Sequence, residues 1–308
     1  MITFLASPKA FTGHAGKIQQ LAIQSWRHVC PDAEIILYGK GEGVASACRE
    51  TGVEHIPEIK CSPSGIPYFN SIVEHAAMHA KNDIQCYLNC DIMLTKAMIS
   101  AVRVLDFPRY LATGQRIDLS ENTYPDSLSK TDILKLLTNG QADLHGPTGM
   151  DYFIFPRGMW AGLPPLVIGR CGYDNALVAF CLRNKIPLIN TTLAFQALHL
   201  FHDYSHVAGG KKTVVNGEDA INNLQWHKLK HSLPDSADAQ WLIVENTLMP
   251  NAARKDWLRR IELTLRFDMK TEFLALLIRG LWRAGVAAKV IKPDSFTMKD
   301  IINSTLKD

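Results

Sequence analysis

No run of about eighteen uncharged apolar residues occurs anywhere in the 308-residue chain, so no membrane-spanning helix is expected. The seven cysteines (Cys30, Cys48, Cys61, Cys86, Cys90, Cys171 and Cys181) form no CxxC pair. An odd number without paired spacing argues against a disulfide framework and fits reduced thiols in a cytoplasmic protein. Charge of one sign is not in excess: 33 Lys and Arg face 30 Asp and Glu, a net +3. Nucleic-acid binders carry a stronger basic balance, so nucleic acid is not an expected partner. The opening MITFLASPKAF lacks the basic region and long apolar stretch of a signal peptide. Internal repeats and low-complexity segments are missing too, as is an HExxH zinc motif. Gly13-His14-Ala15-Gly16-Lys17 is not a phosphate loop, because Phe11 stands five before Gly16 and Ile18 follows Lys17. Gly39-Lys40-Gly41-Glu42-Gly43 has Val44 where a dinucleotide loop needs its third glycine, and reads as a flexible turn.

What is present is an ordinary globular composition, 47% hydrophobic and 20% charged, long enough to bury a sizeable core. Apolar strands are expected at 2–6, 34–39, 53–56 and 84–94, with helices at 17–29, 44–52 and 68–79 between them. Strands apolar on both faces, alternating with helices, predict an α/β chain with a mostly parallel sheet covered by helices. Further strands are expected at 109–114, 150–155 and 186–190, and a helix at 172–184. Residues 118–148 read as a long loop with a short helix near 131–137, and 209–235 as a surface loop. From 236 the pattern is helical. Residues 1–235 carry 21 basic and 21 acidic groups, whereas 236–308 carry 12 and 9, so the excess lies in the tail.

Three constellations carry chemistry. In Tyr87-Leu88-Asn89-Cys90-Asp91-Ile92-Met93 an apolar run meets a carboxylate and then resumes. An unpaired buried carboxylate is costly, so Asp91 is expected at a strand end, paired or on a cation. Ligands of open α/β sheets sit at such carboxyl ends, and a hard divalent cation on a diphosphate takes an oxygen ligand; an Asp that caps a turn is the other reading. In Gly169-Arg170-Cys171-Gly172-Tyr173-Asp174-Asn175, glycines precede a helix whose first turn holds Asp174. It is either an N-cap or a general base presented at a helix start. His199-Leu-Phe-His202-Asp203-Tyr204-Ser205-His206 packs three histidines and an acid into eight residues. One of them is a candidate metal ligand or phosphate contact, and structural hydrogen bonding is the alternative.

Together these segments resemble the nucleotide-sugar-dependent glycosyltransferases of the GT-A fold. Asn89-Cys90-Asp91 is similar to the DxD motif of that fold, with Asn in the first position. Gly172-Tyr173-Asp174-Asn175-Ala176-Leu177 is similar to the helix start that carries the base of inverting members. GQRIDL (114–119), TGMDYFIFPRGMW (148–160), GRCGYDNALV (169–178) and HLFHDYSH (199–206) resemble a bacterial group of such enzymes. The resemblance covers about residues 1–210 and implies a GT-A-like, Rossmann-type mixed sheet flanked by helices, with a helical C-terminal extension. It implies a catalytic domain at 1–235 (donor half to about 115, acceptor half after it) and the extension at 236–308.

The resemblance also assigns roles. Ser7, Asn70, Asn89 and Asp91 are expected to bind a nucleoside diphosphate sugar, a UDP-sugar being favoured. Asp91, with His199 or His202, is expected to hold Mn²⁺ or Mg²⁺, although Asn89 brings no charge. Asp174 is the expected base of an inverting transfer. Arg116, Asp118, Asp151 and Tyr152 are expected to bind the acceptor or the donor sugar. Basic helices with Trp257 and Trp282 suggest peripheral membrane contact through 252–287, at the inner face of the membrane. The acceptor is then a glycan or lipid-linked glycan of bacterial surface polysaccharide synthesis. Packing of those helices on the domain or in an oligomer is the alternative. A nucleotidyltransferase and a non-catalytic sugar-nucleotide-binding relative are rival readings of the whole chain.

Overall fold

The structure is a computed structural model that describes residues 1–125, 127–202, 210–227, 233–251, 257–267, 271–291 and 295–307. The chain opens with β1 (Ile2–Ala6), buried at every residue. Then come α1 (Gly13–Val29), β2 (Glu34–Tyr38), α2 (Val44–Thr51), β3 (Glu54–Ile56), α3 (Phe69–His79) and β4 (Ile84–Leu88). The middle supplies β5 (Ile92–Leu94), α4 (Ala97–Arg103), β6 (Leu111–Thr113), β7 (Ile117–Leu119), α5 (Lys130–Thr138), β8 (Ala142–Leu144) and β9 (Tyr152–Pro156). After these lie α6 (Tyr173–Arg183), β10 (Leu188–Asn190), β11 (Ala197–His199), α7 (Gly210–Asn216) and α8 (Glu218–Leu224). A 3₁₀ turn at Ser236–Asp238 leads to β12 (Trp241–Val244), β13 (Thr247–Pro250), α9 (Trp257–Phe267), α10 (Glu272–Ala287) and α11 (Met298–Lys307).

Nine strands form one sheet in the order β13-β12-β10-β6-β9-β4-β1-β2-β3. β9 runs against both its neighbours and β13 against β12; the other pairs are parallel. The expected α/β class, a mixed and mostly parallel sheet flanked by helices, is therefore what the chain adopts. Alternate residues explain the two layers. Phe4, Cys86, Leu88 and Ile154 face a core with Trp26 of α1 and Met98 of α4. Leu5, Tyr87, Phe153 and Phe155 face the opposite core, with Phe69 of α3 and Leu177 of α6.

A second sheet, β5-β11-β7-β8, takes its strands β5 and β7 from the chain just past the carboxyl ends of β4 and β6. Met93, Ile117, Leu119 and Leu198 pack there on α5 and on Ile301 of α11. Several expectations change accordingly. The strand expected over 84–94 breaks at Asn89–Asp91, and its second half joins the small sheet. The break is pinned from outside: Trp26 Nε1 donates to the Ile92 carbonyl at 2.8 Å, and Leu200 N donates to that of Asp91 at 3.0 Å. The expected loop 118–148 holds β7 and β8 besides the short helix expected near 131–137, which is α5. The expected loop 209–235 carries α7 and α8 among its described residues.

The helical pattern expected from 236 begins only at α9, because β12 first adds to the large sheet beside β10 and β13 turns back on it. On α9 the packed face is Leu258, Glu262, Leu263, Arg266 and Phe267, whereas Trp257 and Ile261 are exposed. Leu265 is half-buried, so the stripe of Trp257, Ile261 and Leu265 lies toward the outer side of the helix. A burial pattern led by an ion pair, Glu262 with Arg266, hides the inner face from an apolar count.

Candidate functional site

Parallel strands end at a common edge, and the chemistry-bearing residues collect there. β1 exits into Ser7-Pro8-Lys9, β4 into Asn89-Cys90-Asp91 and β6 into Gly114-Gln115-Arg116. β9 runs the other way, so its first residues, next to Asp151, reach the same edge. Asn89 N donates to the Asp151 carbonyl at 2.9 Å and ties the two ends together.

Asp91 is the centre of the arrangement. It is 6% exposed. Its Oδ2 accepts from Lys9 Nζ at 3.3 Å and lies 3.0 Å from His202 Nε2. Its Oδ1 is buried and has no hydrogen-bond partner among the described residues. Burial alone pushes this carboxyl up. Lys9, the His202 hydrogen bond and His199 override it and hold Asp91 well below the usual carboxylate range. One ligand atom each from Asp91, His199 and His202 lies within 4.8 Å of the others. A carboxylate and two imidazoles so placed fit a divalent cation by their donor set.

A second layer orients the first. His199 Nδ1 bonds Asp118 Oδ1 at 3.0 Å, which leaves Nε2 as the ligating nitrogen. Asp118 Oδ1 also accepts from Arg116 Nε at 2.7 Å, and Oδ2 from His145 Nδ1 at 2.7 Å. Against its partial burial, these bonds keep Asp118 well below the usual carboxylate range. Arg116 Nη1 donates to Asp151 Oδ2 at 2.6 Å, and the Asn89 amide donates to Asp151 Oδ1. Burial opposes the Arg116 charge, but Asp151 and Asp118 more than restore it. The structure brings Asn89, Asp91, Arg116, Asp118, Asp151, His199 and His202 together in one network.

Asp174 lies in the first turn of α6 and accepts from Asn175 N at 2.9 Å. The helix starts at Gly172, whose φ of +87° suits glycine. An added Cβ there would meet Leu224 at 3.0 Å. His227 Nε2 approaches the Gly172 carbonyl at 3.0 Å, and Asn175 Nδ2 donates to that of Pro234 at 2.8 Å, so the start of α6 is fixed by the chain beyond it. Burial pushes the Asp174 carboxyl up to about 7, and the Asp151 charge adds to the rise.

Other expected residues stand apart. Tyr152 is fully buried, with its hydroxyl 2.8 Å from Thr191 Oγ1, and braces the strand rather than facing the edge. Ser7 Oγ donates to the Tyr38 carbonyl at 3.1 Å at the β1 exit. Asn70 opens α3; its Nδ2 donates to Glu74 at 3.3 Å and its buried Oδ1 has no hydrogen-bond partner among the described residues. Asp203 and His206 lie outside the described residues, as do 252–256 and 268–270 of the tail. Lys9, Gln19 and His145 belong to the site and escape sequence reasoning; only the position of Lys9, two residues past Ser7 in a strand-exit loop, could have suggested one of them. A separate cleft of about 350 Å³ between α6, β12 and α9, lined by Lys185, Trp241, Arg260 and Phe267, contains none of these groups.

No family model matches the chain, and comparison with curated proteins gives no match. Among solved structures it is similar to glucosyl-3-phosphoglycerate synthase from Mycobacterium tuberculosis in complex with Mn²⁺, UDP and phosphoglyceric acid. The identity is 14% and the TM-score 0.42, over 77% of this chain and 80% of that one. The same enzyme with Mg²⁺ and UDP gives 12% and 0.42, over 81% and 86%. S. aureus TarS 1-349 gives 8% and 0.36, over 65% and 57%.

Proposed function

We propose that this chain is a glycosyltransferase that moves a sugar from a nucleoside diphosphate sugar, with a UDP-sugar favoured, to a hydroxyl acceptor. The observation that carries the reading is the Asp91–His199–His202 cluster at the carboxyl edge of the sheet, with Asp91 Oδ1 unpartnered among the described residues. Asp91, His199 and His202 would hold Mn²⁺ or Mg²⁺. Such a cation, when bound, stabilises the charge that develops on a departing diphosphate. Asp118 holds His199 in the ligating tautomer, and Arg116 with Asn89 fixes Asp151. Ser7 and Asn70 are nucleotide contacts in this reading, and Asp151 with Arg116 faces the sugar. Asp174 takes the proton from the acceptor hydroxyl, since a carboxyl near 7 is matched to that task at neutral pH. Displacement assisted by this base inverts the anomeric centre.

The same reading divides the chain into a catalytic part at 1–235 and an extension at 236–308. It places the enzyme at the inner face of the membrane, with the exposed apolar side of α10 toward the bilayer and a lipid-linked glycan as acceptor. Calorimetric titration with a panel of nucleoside diphosphates, in Mn²⁺ and then in EDTA, tests the donor site. Saturable, metal-dependent binding of UDP that is lost in Asp91→Ala is expected. No binding of any diphosphate overturns the proposal, and donor binding without turnover marks a non-catalytic relative. Release of pyrophosphate instead marks a nucleotidyltransferase.

A further inference from the structure

Lys9 is held at the cation cluster with unusual care. Its Nζ lies 3.3 Å from Asp91 Oδ2 and 3.0 Å from His202 Nε2, so a +1 charge sits against two of the three cluster residues. The backbone that carries it is clamped. Gln19 of α1, 1% exposed, accepts from Lys9 N at 2.6 Å and donates to the carbonyls of Lys9 and Ala10, both at 3.2 Å. A buried amide is tolerated only when its polar atoms are paired, and here the exit loop of β1 does the pairing. The Lys9 side chain is 32% exposed, so the ammonium has a path outward.

Resting on the donor-site reading above, we infer that Lys9 is the resident counter-ion of this site. It competes with a divalent cation for Asp91 and His202, and when released it turns to the diphosphate. Two consequences follow from one charge with two positions. Cation alone binds against the Lys9 contact, and diphosphate alone binds with its help. Each ligand therefore favours the other, because the diphosphate draws Lys9 off Asp91, and such coupling is reciprocal.

The test is calorimetry on the full chain, titrating Mn²⁺ alone and UDP alone in EDTA, for wild type, Lys9→Met and Lys9→Gln. Both variants are expected to bind Mn²⁺ about tenfold more tightly and UDP about tenfold more weakly, because one short-range charge is removed from each equilibrium. The effect of Mn²⁺ on UDP affinity is expected to shrink in both. Thermal melting checks the fold: the variants should melt lower without metal and gain more from Mn²⁺ than wild type does, since Asp91 has lost its ammonium. Unchanged or weaker Mn²⁺ binding in the variants, or unchanged UDP binding in EDTA, overturns the inference. If wild type binds no diphosphate even with Mn²⁺, the donor-site reading falls, and the role of Lys9 toward the diphosphate falls with it. The Mn²⁺ arm still decides the competition at Asp91.

Discussion

Asp91 and Asp174 are two carboxyl groups at one edge with opposite fates. Asp91 is nearly buried but faces Lys9, His199 and His202, so the ammonium and the imidazole contacts win over desolvation. Asp174 has the backbone N–H groups of Asn175 and of its own residue to set against burial and the charges of Asp151 and Asp235, so desolvation wins and its pKa moves from 3.8 to about 7. Environments that push two acids apart are how one site assigns a permanent anion and a titrating base. With Asp174 as the proposed base, kcat/KM should rise with pH and level off above about 7. Asp174→Asn should lower turnover roughly 100- to 10,000-fold with donor binding unchanged. Stability runs the other way. Between about pH 4 and 7 the native state keeps a proton that the unfolded chain has lost, so stability falls as pH rises through that window. Asp174→Asn escapes this loss and should be about 1–2 kcal/mol more stable than wild type at pH 8 by urea unfolding. Retained turnover, or lower stability at pH 8, would remove Asp174 from the mechanism. Among single residues, the acids and histidines are legible in the sequence because their chemistry is unusual on apolar strands. Gln19 is not, since nothing local marks a glutamine whose only role is to clamp a loop nine or ten residues upstream.

The elements are legible in proportion to how continuously apolar they are. β1, β2 and β4 are buried on both faces, and their runs stand out against polar helix surfaces. The same property hides the break after β4. Ile84–Leu88 and Ile92–Leu94 are equally apolar, so periodicity carries no sign that they enter different sheets. The strands of the small sheet are three residues long, too short for a pattern, and their pairing is fixed by tertiary contacts. One glycine does mark a junction. At Gly114, where β6 turns toward Arg116, an added Cβ would lie 2.5 Å from Tyr152 Oη and 2.7 Å from Thr192 N. Tyr152 is fully buried and Thr192 N is main chain, so neither yields cheaply. Gly114→Ala should cost about 1–3 kcal/mol, read as a lower urea midpoint with an unchanged slope. It should also weaken Mn²⁺ binding, because Arg116 and Asp118 are carried on the strand it displaces. Wild-type stability in this variant would show that the close approach is relaxed in solution.

At the scale of the whole molecule, two surfaces differ in kind. The carboxyl edge of the sheet is polar, and its charges are paired. The outer side of α10 is apolar: Phe273 is 72% exposed, Leu277 52% and Leu281 61%, and Trp257 of α9 is 63% exposed. A contiguous apolar face of this kind marks an interaction surface. The charge around it indicates the partner. In sequence, residues 257–291 carry seven basic groups against three acidic ones; of the basic ones Arg260, Arg283 and Lys289 are exposed, and this exposed charge would oppose a second copy laid on the same face. An anionic bilayer is complementary to both features. Among the described residues no helix is long and apolar enough to cross a membrane, so the contact proposed is one of lying on the surface. The chain should co-sediment with vesicles containing phosphatidylglycerol and much less with pure phosphatidylcholine, and binding should weaken as salt is raised. Phe273→Glu combined with Leu277→Glu should abolish sedimentation while leaving diphosphate binding intact, since neither residue belongs to the Asp91 network. Sedimentation that ignores lipid charge would remove the electrostatic part of the argument. A dimer in light scattering that the double variant dissolves would instead give the face to a second copy, and the lipid-linked acceptor would lose its structural support.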